Sequence, residues 1–170
     1  SFRGQRAALS IGRDVGERRL RQAEMVRAER MAAIGTLAAG VATVRDMGND
    51  NAVLDVMLPK VASDSILGPR VLRSGLLEGR TPFSASGGVV AASLDEALAA
   101  VRRYAERGFW QLKIYNSLDT AWVAPVVAES HRLGMPVAGH VPAFFSSARA
   151  VEAGYDELTH INQLVLGFLI

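Results

Sequence analysis

The chain has 170 residues, 49% of them hydrophobic and 21% charged, with a net charge of +2 and no cysteine. This is the composition of a folded globular chain with room for one core, and it excludes disulfides and thiolate metal sites. No apolar run approaches the roughly 20 residues that cross a bilayer, and no signal-peptide pattern is visible; the localisation stays open.

The first 45 residues carry nine arginines against four acids, and the remainder carries ten Lys and Arg against thirteen acids. A basic segment of this kind reads as a solvated helix face. No aromatic residue is interleaved among the arginines to stack on bases, which argues against a nucleic-acid partner.

Residues 14–41 read as one long helix, rich in Ala, Glu, Arg, Leu and Met. Leu20, Met31, Ile34, Ala38 and Val41 form a narrow apolar seam suited to a partner helix, which predicts a homodimer through this segment. The grammar then changes to short strands alternating with helices. Residues 41–46 are a β-branched run ended by Gly48 and Asn49. Residues 51–62 are helical in pattern, with Pro59 expected to kink or end the helix. Residues 69–73 read as a short strand, and 75–92, with Gly79, Pro82, Gly87 and Gly88, as a long surface loop.

Ser93 and Glu96 make a capping box, followed by an apolar face at Leu94, Ala97, Leu98, Val101 and Tyr104. Gly108 supplies the stop. Residues 109–115 then read as a strand, 119–133 as a helix ended by Gly134, and 136–139 as a strand. Residues 146–153 read as a helix ended by Gly154, and 156–160 as a strand. Strands and helices alternating in this way indicate an α/β fold with a parallel sheet.

Three residues occupy equivalent places in successive units. Lys113 lies near the end of one strand, His140 closes the next, and His160 closes the one after, at separations of 27 and 20 residues, each about one β-α-β step. In a parallel barrel all three converge on the rim where active sites are built. Taken alone, each histidine reads as a hydrogen-bonded core or surface residue and the lysine as a snorkelling side chain. Their common register is what raises a shared site. Neutral imidazole suits zinc and similar ions, and a lysine amine that has taken up carbon dioxide becomes an anionic oxygen ligand. His131, beside Arg132 in a helical stretch, reads as a solvated helix residue.

These residues resemble the amidohydrolase superfamily, in its imidazolonepropionase-like and prolidase-like branch. Gly40-Val41-Ala42-Thr43-Val44-Arg45-Asp46-Met47-Gly48 is similar to its second-strand signature, and Gly68-Pro69-Arg70-Val71 to its third-strand opening. Lys113-Ile114-Tyr115, Gly139-His140-Val141 and Thr159-His160 are similar to its bridging lysine and the two histidines that follow. The resemblance, over residues 41–170, implies an incomplete TIM-like (β/α) barrel and a hydrolase acting on amide or related C–N bonds of dipeptides or cyclic amides. It also implies a metal-activated water, with Lys113 carboxylated and Lys113, His140 and His160 as metal ligands. Two divalent ions, of zinc type, occupy the family's full site. Tyr115 is expected either to orient the substrate carbonyl or to pack, and the loop at residues 79–88 to border the substrate mouth. The family's His-x-His pair on its first strand and its late-strand Asp have no counterpart in these 170 residues. The resemblance therefore implies about half a ligand set and exposed sheet edges that invite association.

Residues 17–42, above all Ala28-Glu29-Arg30-Met31-Ala32-Ala33-Ile34-Gly35-Thr36-Leu37-Ala38-Ala39-Gly40-Val41-Ala42, are similar to the dimerisation helix of sensor histidine kinases. Thr43 and Val44 stand where that family has its phosphoacceptor His and the following Glu. The division expected is thus a helical segment at 1–40 and a partial barrel at 41–170. Two other readings stay open: a helical dimerisation or signalling module joined to a non-catalytic α/β remnant, and a small-molecule binding domain using the same rim.

Overall fold

The structure, a computed structural model, describes residues 40–166 except Asn49 and Ser86. The long helix expected over residues 14–41, the kinase-like segment within it and dimerisation through it lie outside the described residues. The elements are β1 (Thr43–Asp46), α1 (Asn51–Ala62), β2 (Arg70–Gly79), β3 (Val89–Ala91), α2 (Leu94–Glu106) and β4 (Gln111–Ile114). A 3₁₀ turn at Thr120–Trp122 then leads into α3 (Val123–Arg132), followed by β5 (Val137–Gly139), α4 (Ser147–Glu152), β6 (Glu157–Leu158) and α5 (Ile161–Leu166).

Contacts divide the described residues into two units, residues 40–43 with 60–70, and residues 44–59 with 71–166. In the first, the chain turns after α1 through Asp64 (φ 55°), and the Arg70 N–H donates to the Ala42 carbonyl at 2.9 Å. The second unit holds the sheet, the core and the candidate site.

The sheet runs in the order β1-β2-β4-β5-β6, with β3 also paired to β2. The β2–β3, β2–β4, β4–β5 and β5–β6 pairs are all parallel. The register sets Leu76 and Ala138 on either side of Lys113, and Leu77 and Gly139 on either side of Ile114. Alternation along each strand then sorts the side chains into two faces. Leu77, Leu112, Ile114 and Val137 enter one core with Ala97, Ala100, Val101 and Tyr104 of α2 and Val123, Val126 and Val127 of α3. The opposite face carries Ser74, Glu78, Gln111 and Lys113, all buried.

That second face shows how far the sheet is curved. Arg45 of β1 makes a two-pronged ion pair with Glu157 of β6, with Nη2 to Oε1 at 2.7 Å, and also reaches Gln111 Oε1 at 3.4 Å. The two strands are four positions apart, about 19 Å in a flat sheet, which is further than the two side chains reach together. The sheet therefore curls toward its polar face, as a closing barrel requires. The architecture is α/β with a parallel half-barrel sheet, as the sequence implies.

Local chemistry explains the elements. Ser93 Oγ accepts from the Glu96 N–H at 3.2 Å, and Glu96 Oε2 accepts from the Ala92 N–H at 2.8 Å, so the capping box forms. Asp119 and Ser146 cap the next two helical starts through the Ala121 and Arg149 N–H groups. Tyr104 of α2 donates to the Leu76 carbonyl at 2.7 Å and accepts from the Val89 N–H at 3.2 Å, tying the helix to β2 and β3. Arg73 lies over the Phe109 ring at 4.2 Å and pairs with Asp55 at 2.8 Å.

Three expectations are corrected. The strand expected at residues 69–73 runs to Gly79, and residues 89–91, expected in a loop, form β3. Gly75 and Gly79 are there for close approach. A Cβ on Gly75 would stand 2.4 Å from the Tyr104 ring, and one on Gly79 would stand 2.0 Å from the Ser117 carbonyl oxygen. The helix expected at residues 51–62 forms over that range, running through Pro59 to Ala62. Residues 159 and 160, expected in the last strand, lie beyond β6.

Gly79→Ala is expected to lower stability by about 2–3 kcal/mol, because backbone cannot yield to the added methyl as a flexible side chain would. Urea denaturation measures it; an unchanged midpoint contradicts the close approach of β2 to residue 117.

Candidate active site

The curved parallel sheet brings the C-terminal ends of β4, β5 and β6 together. Lys113 leaves β4 on the polar face and is buried. Its Nζ lies 5.6 Å from the centre of the Tyr115 ring. The Tyr115 ring stacks obliquely on His140, with centroids 4.1 Å apart and planes at 32°. His160 meets His140 edge-on, with centroids 4.6 Å apart and planes at 83°. The structure therefore gathers all four candidates, Lys113, Tyr115, His140 and His160, into one chain of contacts. His131 is apart from them, exposed on α3 with Nε2 2.8 Å from Asp156 Oδ2, much as the sequence suggests.

His140 is the most constrained member. Its N–H donates to the Ile114 carbonyl at 2.9 Å, and its carbonyl accepts from the buried Tyr155 hydroxyl at 3.2 Å. The preceding Gly139 has φ 146°, and a Cβ there would lie 2.1 Å from the Ile114 oxygen, so only glycine allows this approach. The ring Nδ1 is 2.6 Å from Asn116 Oδ1, whereas Nε2 is buried with no hydrogen-bond partner among the described residues. His160 is exposed at φ 66°, an uncommon backbone for a non-glycine residue and one found disproportionately at functional sites.

Burial and charge set the protonation states. Burial first, then the Lys113 ammonium and His160, push the His140 imidazole down to about 4. Burial also lowers the Lys113 amine, opposed by the Asp46 carboxylate. Both groups are thus shifted toward their neutral forms, the forms in which an imidazole ligates a metal and an amine attacks carbon dioxide.

Around this constellation stands a supporting layer that the motifs alone do not reveal. Glu78, at the end of β2, is fully buried and accepts from the backbone N–H groups of Gly79 (3.0 Å), Ser117 (2.7 Å) and Ala85 (3.3 Å). It ties the loop after β2 to the turn after β4. An open depression of about 410 Å³ lies at these loops, lined by Thr81, Phe83, Asn116, Leu118, Asp119 and Phe144 among others. Thr81 and Phe83 of the loop expected to border a substrate mouth line this depression, whereas Lys113, Tyr115, His140 and His160 do not. Sequence signals for Asn116, Glu78 and Tyr155 are weak. An Asn after a strand reads as a turn residue, a Glu inside a strand as a solvated one, and a Tyr as core.

Among the described residues no three His, Cys, Asp or Glu side chains are placed to hold a metal ion. Two imidazoles and an amine are gathered instead. The buried, unpartnered His140 Nε2 is the atom that fits a cation, since an imidazole lone pair left dry and unpaired is what a metal ligand presents. Lys113 joins such a set only as a carbamate.

No family model matches the chain, and no curated protein matches it. Solved structures do. An amidohydrolase is 24% identical with a TM-score of 0.61, over 76% of this chain and 39% of its own length. A bottromycin amidohydrolase is 21% identical with a TM-score of 0.62, over 71% of this chain and 27% of its own. A candidate prolidase from Bifidobacterium longum is 24% identical with a TM-score of 0.61, over 74% and 34%. At these identities the likeness is one of fold: the chain has the architecture of part of the barrel that these proteins share. It spans between 27% and 39% of the length of these proteins.

In the metal-free protein His140 is expected to titrate near 4, from a usual value of 6.5. The unfolded chain binds that proton first, so His140 costs stability as pH falls from 6.5 toward 4 and none above it. Histidine NMR titration measures the shift; a His140 midpoint near 6.5 contradicts the burial of the ring.

Proposed function

We propose that this chain is part of a metal-dependent amidohydrolase, a hydrolase cleaving amide or related C–N bonds of small substrates such as dipeptides or cyclic amides. The single observation that carries the reading is the contact of Lys113, Tyr115, His140 and His160 at the C-terminal rim of a parallel half-barrel, with His140 Nε2 dry and unpartnered. That rim is where barrels of this architecture build their sites.

In this reading His140 offers Nε2 and His160 a second imidazole, while Lys113 takes up carbon dioxide. The neutral amine forms the new N–C bond and releases one proton, leaving a carbamate whose single negative charge is shared by two oxygens. Desolvation favours the neutral amine that this addition needs. A divalent ion of zinc type held there supplies a polarised carbonyl and a water whose pKa falls toward about 7. Tyr115 backs the His140 ring by stacking, which favours the packing role over direct contact with a carbonyl. The loop carrying Thr81 and Phe83 borders the depression where a small substrate fits.

Elemental analysis tests this on the full chain purified without chelator. A divalent ion retained at about one per chain, and lost in His140→Ala and Lys113→Ala, is the expected result. Absence of any bound zinc, manganese or similar ion, with added zinc binding the wild type and both variants alike, removes the reading.

A further inference from the structure

The depression at the rim loops stands one side chain away from the gathered imidazoles. Asn116 lines it and lies 2.6 Å from the His140 ring, so the wall of the depression touches the candidate site. Its volume, about 410 Å³, is that of a pocket for a small molecule.

The apolar part of that wall is unusual. Phe83, on the loop after β2, is 89% exposed, and Phe144, on the loop after β5, is 100% exposed. A single exposed ring needs no explanation, but two rings from different loops bordering one depression do. Neither loop presents its ring loosely. The Phe83 N–H donates to Thr81 Oγ1 at 3.1 Å, and the Thr81 N–H donates to Ser84 Oγ at 2.7 Å. Thr81 Oγ1 in turn reaches Ser117 Oγ at 3.2 Å, which ties this loop to the turn after β4. On the other side, the Ala143 N–H donates to the Asn116 carbonyl at 2.8 Å, and the Phe145 N–H to the Pro142 carbonyl at 3.0 Å. Phe144 between them has φ 62°, a region that bulky residues rarely occupy.

Charge is the second property of the wall. Asp119 is the one ionisable side chain among the described residues that line it, and no basic group stands there to balance it. Its Oδ1 caps the 3₁₀ turn through the Ala121 N–H at 2.9 Å, which fixes the carboxylate in place.

We propose that this depression is the subsite for an aromatic side chain of the substrate, with Phe83 and Phe144 as its specificity-determining residues and Asp119 selecting against acidic ligands. That the ligand is a substrate rests on the amidohydrolase reading above; the preference for a ring does not. A planar apolar group entering the depression takes its own surface and that of both phenyl rings out of water. The rings are held in place beforehand, so little ordering is lost on binding. A carboxylate on the ligand meets Asp119 with no cation to offset it, whereas a neutral amide does not.

The test titrates the ¹⁵N-labelled full chain, freed of metal with chelator, and follows its backbone amide shifts. The probes are N-acetylphenylalaninamide, its acid N-acetylphenylalanine, and N-acetylalaninamide. The first is expected to shift residues around Phe83, Asn116 to Thr120 and Phe144 in a saturable way. N-acetylalaninamide, which lacks the ring, is expected to bind about tenfold or more weakly, and the acid about two- to fivefold more weakly than its amide. Phe83→Ala and Phe144→Ala remove exposed side chains and are each expected to weaken the ring probe about three- to tenfold. Asp119→Asn keeps a capping side chain and is expected to abolish the difference between acid and amide.

The proposal is overturned by a ring probe that fails to saturate, that shifts residues elsewhere, or that binds no better than N-acetylalaninamide. Unchanged affinity in both phenylalanine variants overturns it as well, and an acid–amide difference that persists in Asp119→Asn removes the role of Asp119. A chain that retains metal without binding the ring probe loses the subsite and keeps the metal reading. Ring binding by a chain that retains no metal upholds the pocket and removes the amidohydrolase reading instead.

Discussion

The structure depends on β4 being buried on both faces within a parallel ladder. Leu112 and Ile114 have no exposed surface, and Gln111 and Lys113 are almost as dry. A strand with this placement cannot slip by one residue, because the slip would put two aliphatic side chains on the polar face and Gln111 and Lys113 into the helix-facing core. The register with β2 and β5 is therefore fixed, and with it the ends of all three strands. Everything at the rim inherits that precision: Tyr115 follows Lys113 by two residues, His140 follows Ala138 by two, and both pairs lie on the same face.

Keeping polar side chains on a buried face is costly unless each finds a partner. Glu78 is met by three backbone N–H groups. Gln111 lies between Arg45 and the sulfur of Met47, and Lys113 feels the carboxylate of Asp46. Arg45 and Glu157 are a third or more exposed, so their pair contributes little by itself and reports the curvature more than it causes it. His140 Nε2 stands out against this background of satisfied groups. A buried nitrogen without a hydrogen-bond partner among the described residues, beside a desolvated amine and a second imidazole, is a physical mark of a functional site.

Fold and function stand on different footings. Barrels of this architecture host many chemistries, and identities of 21% to 24% speak for architecture. The functional reading comes instead from the site: a desolvated amine, two touching imidazoles, and a supporting layer of Asn116, Glu78 and Tyr155 that holds one of them by ring and backbone. Such a layer has a stability cost in buried polar groups and strained backbone at His160. Proteins tolerate that cost where it preorganises chemistry.

The sequence by itself determined the α/β class, the order of most strands and helices, and the caps and stops at Ser93, Gly108, Gly134 and Gly154, because these follow from nearest-neighbour chemistry and hydrophobic period. It also determined that Lys113, His140 and His160 fall at or just beyond the ends of successive parallel strands, since spacing along the chain translates into position on a parallel sheet. Only the tertiary structure decided that residues 75–79 are a buried strand. Gly75 and Gly79 read as breakers until the Tyr104 ring and the Ser117 backbone are seen against them. Only the tertiary structure decided, too, that Asn116 meets the His140 ring. The two are 24 residues apart in sequence, and a contact between two loops has no local period to betray it.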